Sequence, residues 1–166
     1  MSYLNQIKSI KNNAIFPPIQ NPKINSPESL LQKFIYSHIQ NSHVQQNRTC
    51  IKFKYSATTT NIILHTSNHK LYNITLQIFN LLKNLTSFLQ KQQYSLIHIS
   101  IEDIHFFNNE PILINPNKIA PINYCPHRNI VLAAILQKIN NLYPKTHGIP
   151  PLSPIGKFIS YNTSNK

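Results

Sequence analysis

The spacing of apolar residues predicts strands in residues 49–75. Apolar and polar residues alternate over Ile51–Tyr55, and this two-residue period is typical of a half-buried strand. A hydroxyl-rich bend follows, and then come two short apolar runs separated by a polar turn. The segment therefore predicts a β-hairpin, with a bend at Thr58–Thr60, strands at 62–65 and 71–74, and a turn at 67–70.

Apolar residues at helical spacing predict two helices, over residues 76–93 and 126–143. The first has one apolar face, formed by Leu76, Phe79, Leu82, Leu85 and Leu89. The second begins at the sequence Pro-His-Arg-Asn and ends before Pro144. A strand at 95–101 directly after the first helix favours a β-α-β crossover. We therefore expect an α/β fold, a three-layer-like domain with a β-hairpin, a mixed sheet and two helices.

Composition shifts divide the chain into three parts. Residues 1–48 are rich in Pro, Asn and Gln and predict an irregular basic extension, with one short helix that begins at Pro27. Residues 49–143 form the predicted α/β RNA-binding domain, in which 102–126 is a long connection with one apolar stretch. Residues 144–166 predict a basic, Pro-rich, irregular tail.

The charge balance indicates a polyanionic partner. The chain has 16 Lys and Arg against 4 Asp and Glu, for a net charge of +12. A compact body with this charge repels itself, so a nucleic acid or an anionic membrane is expected to screen it. The lysines are spread from Lys8 to Lys166, which favours a large folded RNA over a membrane-surface helix. The sequence contains no run of 18 apolar residues, which is the length that would predict a membrane span. The first residues also lack the apolar segment expected of a secretory signal.

The amino-acid composition points to an organelle genome. Residues whose codons begin with G are scarce (Gly, Ala, Val, Asp and Glu), whereas Ile, Asn, Lys, Leu, Pro, Thr and His abound. A coding strand poor in G explains both the loss of acids and the retention of proline, and such strand skew is expected above all in mitochondria. Part of the acid depletion then reflects mutation pressure, so the net charge overstates the selected charge.

Enzymatic and metal-binding functions find little support in the sequence. The only adjacent acids, Glu102 and Asp103, are expected to form a solvated turn and point apart. With only Gly148 and Gly156, a Gly-rich phosphate loop is excluded. Cys125 and His127 form one short pair without a second, so we predict a buried thiol and no metal, cofactor or small-molecule substrate.

Two clusters suit RNA phosphates and sugars. Thr58–Asn61 offers small hydroxyls and an amide, and His127–Asn129 lies at a helix start, where free N–H groups attract phosphate. The tail adds cations on an extended backbone. The predicted RNA contacts are Arg48, Lys52, Lys54, Thr58, Thr59, Thr60, Asn61, His69, Lys70, His127, Arg128, Asn129, Lys145, His147 and Lys157.

The order of these motifs resembles the universal small-subunit ribosomal protein number eleven family over residues 49–151. Ser56–Ser67 looks like the family's hairpin with its Asn-Asn-Thr-type bend, and Pro126–Asn129 looks like its Pro-Gly-Arg-Glu start of a second helix. His147–Pro151 is similar to part of its C-terminal tail. The family's Gly-rich loop before the first helix is absent. The resemblance implies a three-layer α/β fold on the platform of small-subunit rRNA, near the messenger exit and beside neighbouring ribosomal proteins.

The sequence thus predicts a structural constituent of the mitochondrial ribosome that binds small-subunit rRNA. Two other functions stay open at this stage. One is a peripheral subunit of a respiratory or other organelle complex that binds no RNA. The other is a nucleic-acid enzyme such as a nuclease, for which Glu102 and Asp103 would have to hold metal.

Overall fold

The computed structural model describes residues 14–16, 26–38, 45–46, 51–53, 56–107, 110–144 and 148–163. Four predicted RNA contacts lie outside the described residues: Arg48, Lys54, Lys145 and His147. Lys52 and His69 belong to described backbone, the first in a strand and the second in a helix.

The described residues form an α/β fold with five α-helices, as the sequence predicts in class. The helices are α1 (Pro27–His38), α2 (Thr59–His65), α3 (Asn68–Gln90), α4 (Arg128–Asn141) and α5 (Pro154–Thr163). Three of them confirm predictions, because α1 begins at Pro27, α3 contains most of the span 76–93, and α4 ends before Pro144.

Eight short strands form three small sheets, and every pairing among the described strands is antiparallel. The predicted mixed sheet and parallel crossover are therefore wrong. The strands are β1 (Ala14–Phe16), β2 (Gln45–Gln46), β3 (Ile51–Phe53), β4 (Ser56–Thr58), β5 (Tyr94–Leu96), β6 (Ile104–Phe107), β7 (Glu110–Leu113) and β8 (Ile119–Pro121). The sheet orders are β1-β3-β2, β4-β6-β7 and β5-β8.

The predicted hairpin at 62–74 is wrong, because this segment is helical. Thr58 caps α2, and its Oγ1 accepts a hydrogen bond from the backbone N–H of Asn61 at 3.2 Å. The β-branched residues that suggested strands lie instead on helices, where burial against the rest of the molecule overrides local preference. The strand-and-bend segment implied by the family resemblance is here the single short strand β4 followed by α2.

The connection predicted at 102–126 contains β6, β7 and β8. Proline suggested a loop there, yet Pro111 lies opposite Phe106 in β7, at the edge of its sheet. An edge strand tolerates proline because the missing N–H need not pair with a further strand. Phe106, Phe107, Ile112 and Leu113 are all buried, which explains why this stretch folds into the interior.

The core is organised by one face of α3. Leu71, Ile78, Leu82, Leu85 and Leu89 recur at helical spacing and are each at most 1% exposed. A fully buried side chain of this kind stabilises the fold by about 2 kcal/mol. The buried face begins at Leu71, whereas the predicted face began at Leu76, which is only partly buried.

Residues from all three predicted parts of the chain share this core. Leu30, Leu31 and Ile35 of α1 are buried in it, and the ring of Phe34 lies 5.7 Å from that of Phe88 in α3, between centroids. The segment predicted as an irregular tail contains α5, which buries Ile155 and Ile159 against the same core. The predicted extension and tail therefore both contribute a helix to the packed body.

A close backbone approach fixes the start of α5. Ser153 accepts a hydrogen bond from the N–H of Gly156 at 3.1 Å, and its hydroxyl donates to the carbonyl of Pro150 at 2.6 Å. A Cβ placed on Gly156 would lie 2.2 Å from that Pro150 oxygen. Glycine usually weakens a helix, but here it is what allows the preceding Pro-Pro segment to fold back on the first turn.

We expect Gly156→Ala to lower the free energy of unfolding by about 1–3 kcal/mol, the usual cost of overpacking. Helix propensity alone would predict that the free energy of unfolding rises by about 1 kcal/mol, so the sign of the measured change decides between the two effects. Urea unfolding followed by circular dichroism measures the change. Ser160→Ala, at an exposed position of α5, is the control and should alter stability little. A stabilised Gly156→Ala variant would contradict the close approach.

Candidate nucleic-acid interface

The N-terminus of α4 brings together His127, Arg128 and Asn129, as the sequence predicts. His127 caps the helix, and its Nδ1 accepts a hydrogen bond from the backbone N–H of Asn129 at 3.2 Å. The guanidinium of Arg128 reaches α3, where Nη1 lies 3.4 Å from Ser87 Oγ and 3.4 Å from Gln90 Oε1. Both contacts are long, and both use Nη1. The N–H groups on the other guanidinium nitrogens remain for an anion.

Arg128 lies beside a small cleft of about 100 Å³ between α3, α4 and α5, which we call the α4 cleft. Its lining combines cationic, hydroxyl and aromatic side chains and includes no acid. The lining residues are Lys83, Thr86, Ser87, Arg128, Asn129, Leu132 and Phe158. A cleft of this volume can hold one group of phosphate size.

Lys83, one of the two cations of the α4 cleft, lies against an aromatic ring. Lys83 Nζ lies 5.1 Å from the ring centroid of Phe79, within range of a cation–π interaction. The rings of Phe79 and Phe158 stand edge to face, with centroids 4.9 Å apart. Lys83 therefore contacts an aromatic pair on the same side of α3 that lines the cleft with Arg128. The positive end of the α4 dipole adds to the field, so the cleft favours an anion.

None of the four acids of the chain lines the α4 cleft. Glu28 and Glu102 are exposed, whereas Asp103 is 7% exposed and forms an ion pair with Lys118, Nζ to Oδ2, at 3.7 Å. One of the four acids is thus used inside the protein. Exposed lysines in the described part of the chain include Lys70 and Lys83 on α3, Lys91 directly after α3, Lys138 on α4 and Lys157 on α5.

The predicted cluster at Thr58–Asn61 is divided by the fold. Thr58 and Asn61 are exposed at the start of α2, and Thr60 is half-buried. Thr59 is fully buried, and its hydroxyl donates to the carbonyl of Ile104 at 2.6 Å. The prediction that Thr59 contacts RNA is therefore wrong, because that side chain ties α2 to β6.

Of the other predicted contacts, Lys70 and Lys157 are exposed, on α3 and α5, and neither lines the α4 cleft. Lys83, Ser87 and Phe158 do line it and were missed. Lys83 and Phe79 are four residues apart on the predicted first helix, which was a usable signal for their contact. Their position next to Arg128 depends on how α3 packs against α4, which no local pattern reveals.

Asp103 is a structural carboxylate and not half of an acidic pair. Its Oδ2 accepts from Ser100 N–H at 2.8 Å and from the Ser100 hydroxyl at 3.1 Å, and Oδ1 accepts from Asn115 Nδ2 at 3.0 Å. These bonds join the turn before β6 to the turn after β7. The predicted solvated turn is right for Glu102 and wrong for Asp103, and the two side chains share no site.

The Cys125 thiol shows no sign of activation as a nucleophile. It is half-buried, and Sγ lies 3.5 Å from the carbonyl oxygens of both Ala120 and Pro121. Burial raises the pKa of this thiol above its ordinary value, although backbone hydrogen bonds to Ala120 and Ser95 offset part of the rise. A raised thiol pKa lowers the thiolate fraction at neutral pH and with it the reactivity.

We expect Asp103→Ala to lower the free energy of unfolding by about 2–4 kcal/mol, because three hydrogen-bond donors and Lys118 would be left without their acceptor. Glu102→Ala removes the same charge from an exposed neighbour and should change stability by less than about 0.5 kcal/mol. Urea unfolding of both variants at neutral pH measures the difference. Equal effects would show that Asp103 does not hold these turns together.

We expect Cys125, isolated by Cys50→Ser, to react with iodoacetamide more slowly at neutral pH than a cysteine in an unstructured peptide. The rate should rise at a more alkaline pH than in the peptide, because burial raises the pKa of Cys125. The same protein unfolded in urea is the control and should behave like the peptide. A rate profile shifted toward acid in the folded protein would contradict the burial argument.

No family model, curated protein or solved structure matches this chain. In the part of the chain that the structure describes, no three His, Cys, Asp or Glu side chains are grouped so that they could hold a metal ion. Among the same residues, no helix has the length and apolarity needed to cross a membrane. Functional interpretation therefore rests on the charge distribution and geometry of the chain itself.

Proposed function

We propose that this chain is a structural constituent of the mitochondrial ribosome and binds small-subunit rRNA. The observation that carries the proposal is the excess of cations over acids, +12 in all, with one acid internally neutralised by Lys118. Lysine and arginine bound to RNA phosphates release condensed counterions, and this release supplies affinity without sequence preference. The G-poor coding strand supports the mitochondrial location.

The α4 cleft is the proposed phosphate contact with the most defined geometry. Arg128 and Lys83 both line it beside a helix N-terminus, and a phosphate between them would meet two charges and the positive end of the α4 dipole. Such contacts fix the orientation of a protein on RNA but do not read its sequence. The role proposed for the cleft is therefore positioning.

Lysines elsewhere suit an RNA that contacts the protein on several sides. Lys70 lies in the first turn of α3, Lys138 in the last turn of α4, and Lys157 on α5. Large apolar side chains are also exposed, namely Leu64, Tyr124, Ile130, Leu152 and Tyr161. Scattered exposed apolar residues are ordinary on protein surfaces, so the cations carry this part of the proposal.

We expect binding of the full chain to mitochondrial small-subunit rRNA to weaken steeply with salt. The double variant Lys83→Gln with Arg128→Gln should lower the slope of log affinity against log salt by roughly 1 for each phosphate that the variant no longer neutralises. Lys138→Gln, at the other end of α4, removes a single exposed charge and tests separately whether that end of the helix contacts the RNA. Filter binding over a salt series measures these slopes.

Three outcomes would contradict the proposal at different levels. A double variant with the same slope as the parent chain would remove the α4 cleft from the interface. A flat salt response would exclude phosphate neutralisation as the mechanism. Binding to anionic vesicles with no preference for RNA, together with failure of the native protein to cosediment with small ribosomal subunits, would favour a peripheral subunit of another organelle complex.

A further inference from the structure

A second cavity, of about 440 Å³, opens between α2, the first half of α3 and β6. Its floor is apolar and consists of Ile62, Ile74 and Phe106. Its rim is polar and includes Lys70, Asn73 and Gln77. The volume lies within the range of about 300–1,000 Å³ that is usual for small-molecule sites, and it is several times that of the α4 cleft.

The rim residues lie on one face of α3. Asn73 and Ile74 lie three and four residues after Lys70, and Gln77 lies four and three residues after them, so the four side chains project from the same side of the helix. A helix face that carries an isoleucine between polar residues usually packs on a neighbour. Here α2 covers only part of it, and Ile74 remains half-buried at the cavity floor.

The polar groups of the rim are available to a ligand. Within residues 56–107 and the other described ranges, the carboxamides of Asn73 and Gln77 make no hydrogen bond, and Lys70 makes no ion pair. All three side chains are exposed. Thr66, also at the rim, donates its hydroxyl to the carbonyl of Ile62 and keeps oxygen lone pairs to accept a further bond.

We propose that this cavity binds one nucleotide, either a free one or an unstacked nucleotide of RNA. The planar base lies on the apolar floor, and the carboxamides of Asn73 and Gln77, each with a donor and an acceptor, pair with its edge. The ammonium of Lys70 contacts the phosphate. No carboxylate lines the cavity, so nothing in its lining repels an anion or attracts a cationic ligand in its place.

The RNA form of this inference rests on the proposed function, whereas the free-nucleotide form does not. The two sites would divide the work of recognition. The α4 cleft contacts phosphate whatever the sequence, whereas the α3 cavity requires a base. Removal of a base without change of backbone charge therefore tests the cavity alone.

The experiment uses the full chain with two sets of probes. The first set contains the four ribonucleoside 5′-monophosphates, compared by calorimetry with ribose 5-phosphate. The second contains short single-stranded oligoribonucleotides of each base, compared with an abasic oligonucleotide of equal length. We expect at least one base to strengthen binding about fivefold or more over its base-free counterpart in one of the two sets.

The double variant Asn73→Ala with Gln77→Ala should weaken this preference for a base, because it removes the groups that pair with the base edge and leaves the apolar floor. The matched control is Asn80→Ala, at an exposed amide on α3 that does not line the cavity, and it should retain the preference. Alanine favours helix more than asparagine or glutamine does, so none of these substitutions should weaken α3. Thermal unfolding of the parent chain, the double variant and Asn80→Ala should confirm that α3 is intact.

The outcomes separate the two proposals. A base preference that is equal in the parent chain and the double variant, or absent from both, overturns the cavity proposal. Salt-dependent RNA binding that is indifferent to the base, together with no base preference among the mononucleotides, overturns it as well and leaves the proposed function standing. Binding of mononucleotides without binding of RNA supports the cavity as a free-nucleotide site and overturns the proposed function.

Discussion

Burial of one face of α3 is the interaction on which the rest of the structure depends. The stripe from Leu71 to Leu89 lies in the buried core, and α3 contacts α1, α4, β5 and β7. The sheets in the described part of the chain have two or three strands, and a two-stranded sheet is at best marginally stable in water by itself. Packing against α3 therefore stabilises the β5-β8 and β4-β6-β7 sheets.

The same helix carries polar groups toward both candidate sites. Its second half presents Lys83 and Ser87 to the α4 cleft, and its first half presents Lys70, Asn73 and Gln77 to the larger cavity. An amphipathic helix at the centre of a small domain must expose one face, and here that face is occupied by cations and carboxamides. Interior packing and surface chemistry are therefore set by the two sides of one element.

Sequence periodicity predicted the helices that have clear end signals and a regular apolar face, and it failed where short apolar runs fit both a strand and a helix. The helices at α1, α3 and α4 were predicted because Pro27, Pro144 and the leucine spacing mark them clearly. The segment from Ile62 to Ile74 was misread, since short runs of β-branched residues fit a strand locally. The spacing of Leu71, Ile78 and Leu82 already continues the helical pattern, and only the packed core decides between the two periods. The α4 cleft shows the same division: Arg128 was expected from the start of its helix, whereas Lys83 reaches it through the packing of α3 on α4.

Because Lys70 and Lys83 lie on one continuous helix, their separation along its axis is fixed by geometry. Thirteen residues at 1.5 Å each place these two ammonium-bearing positions about 20 Å apart. A ligand that contacts both Lys70 and Lys83 must span this distance, since the continuous helix does not bend to shorten it. Selection among RNAs can then arise from their folded shape, with the distance between two reachable phosphates serving as the criterion.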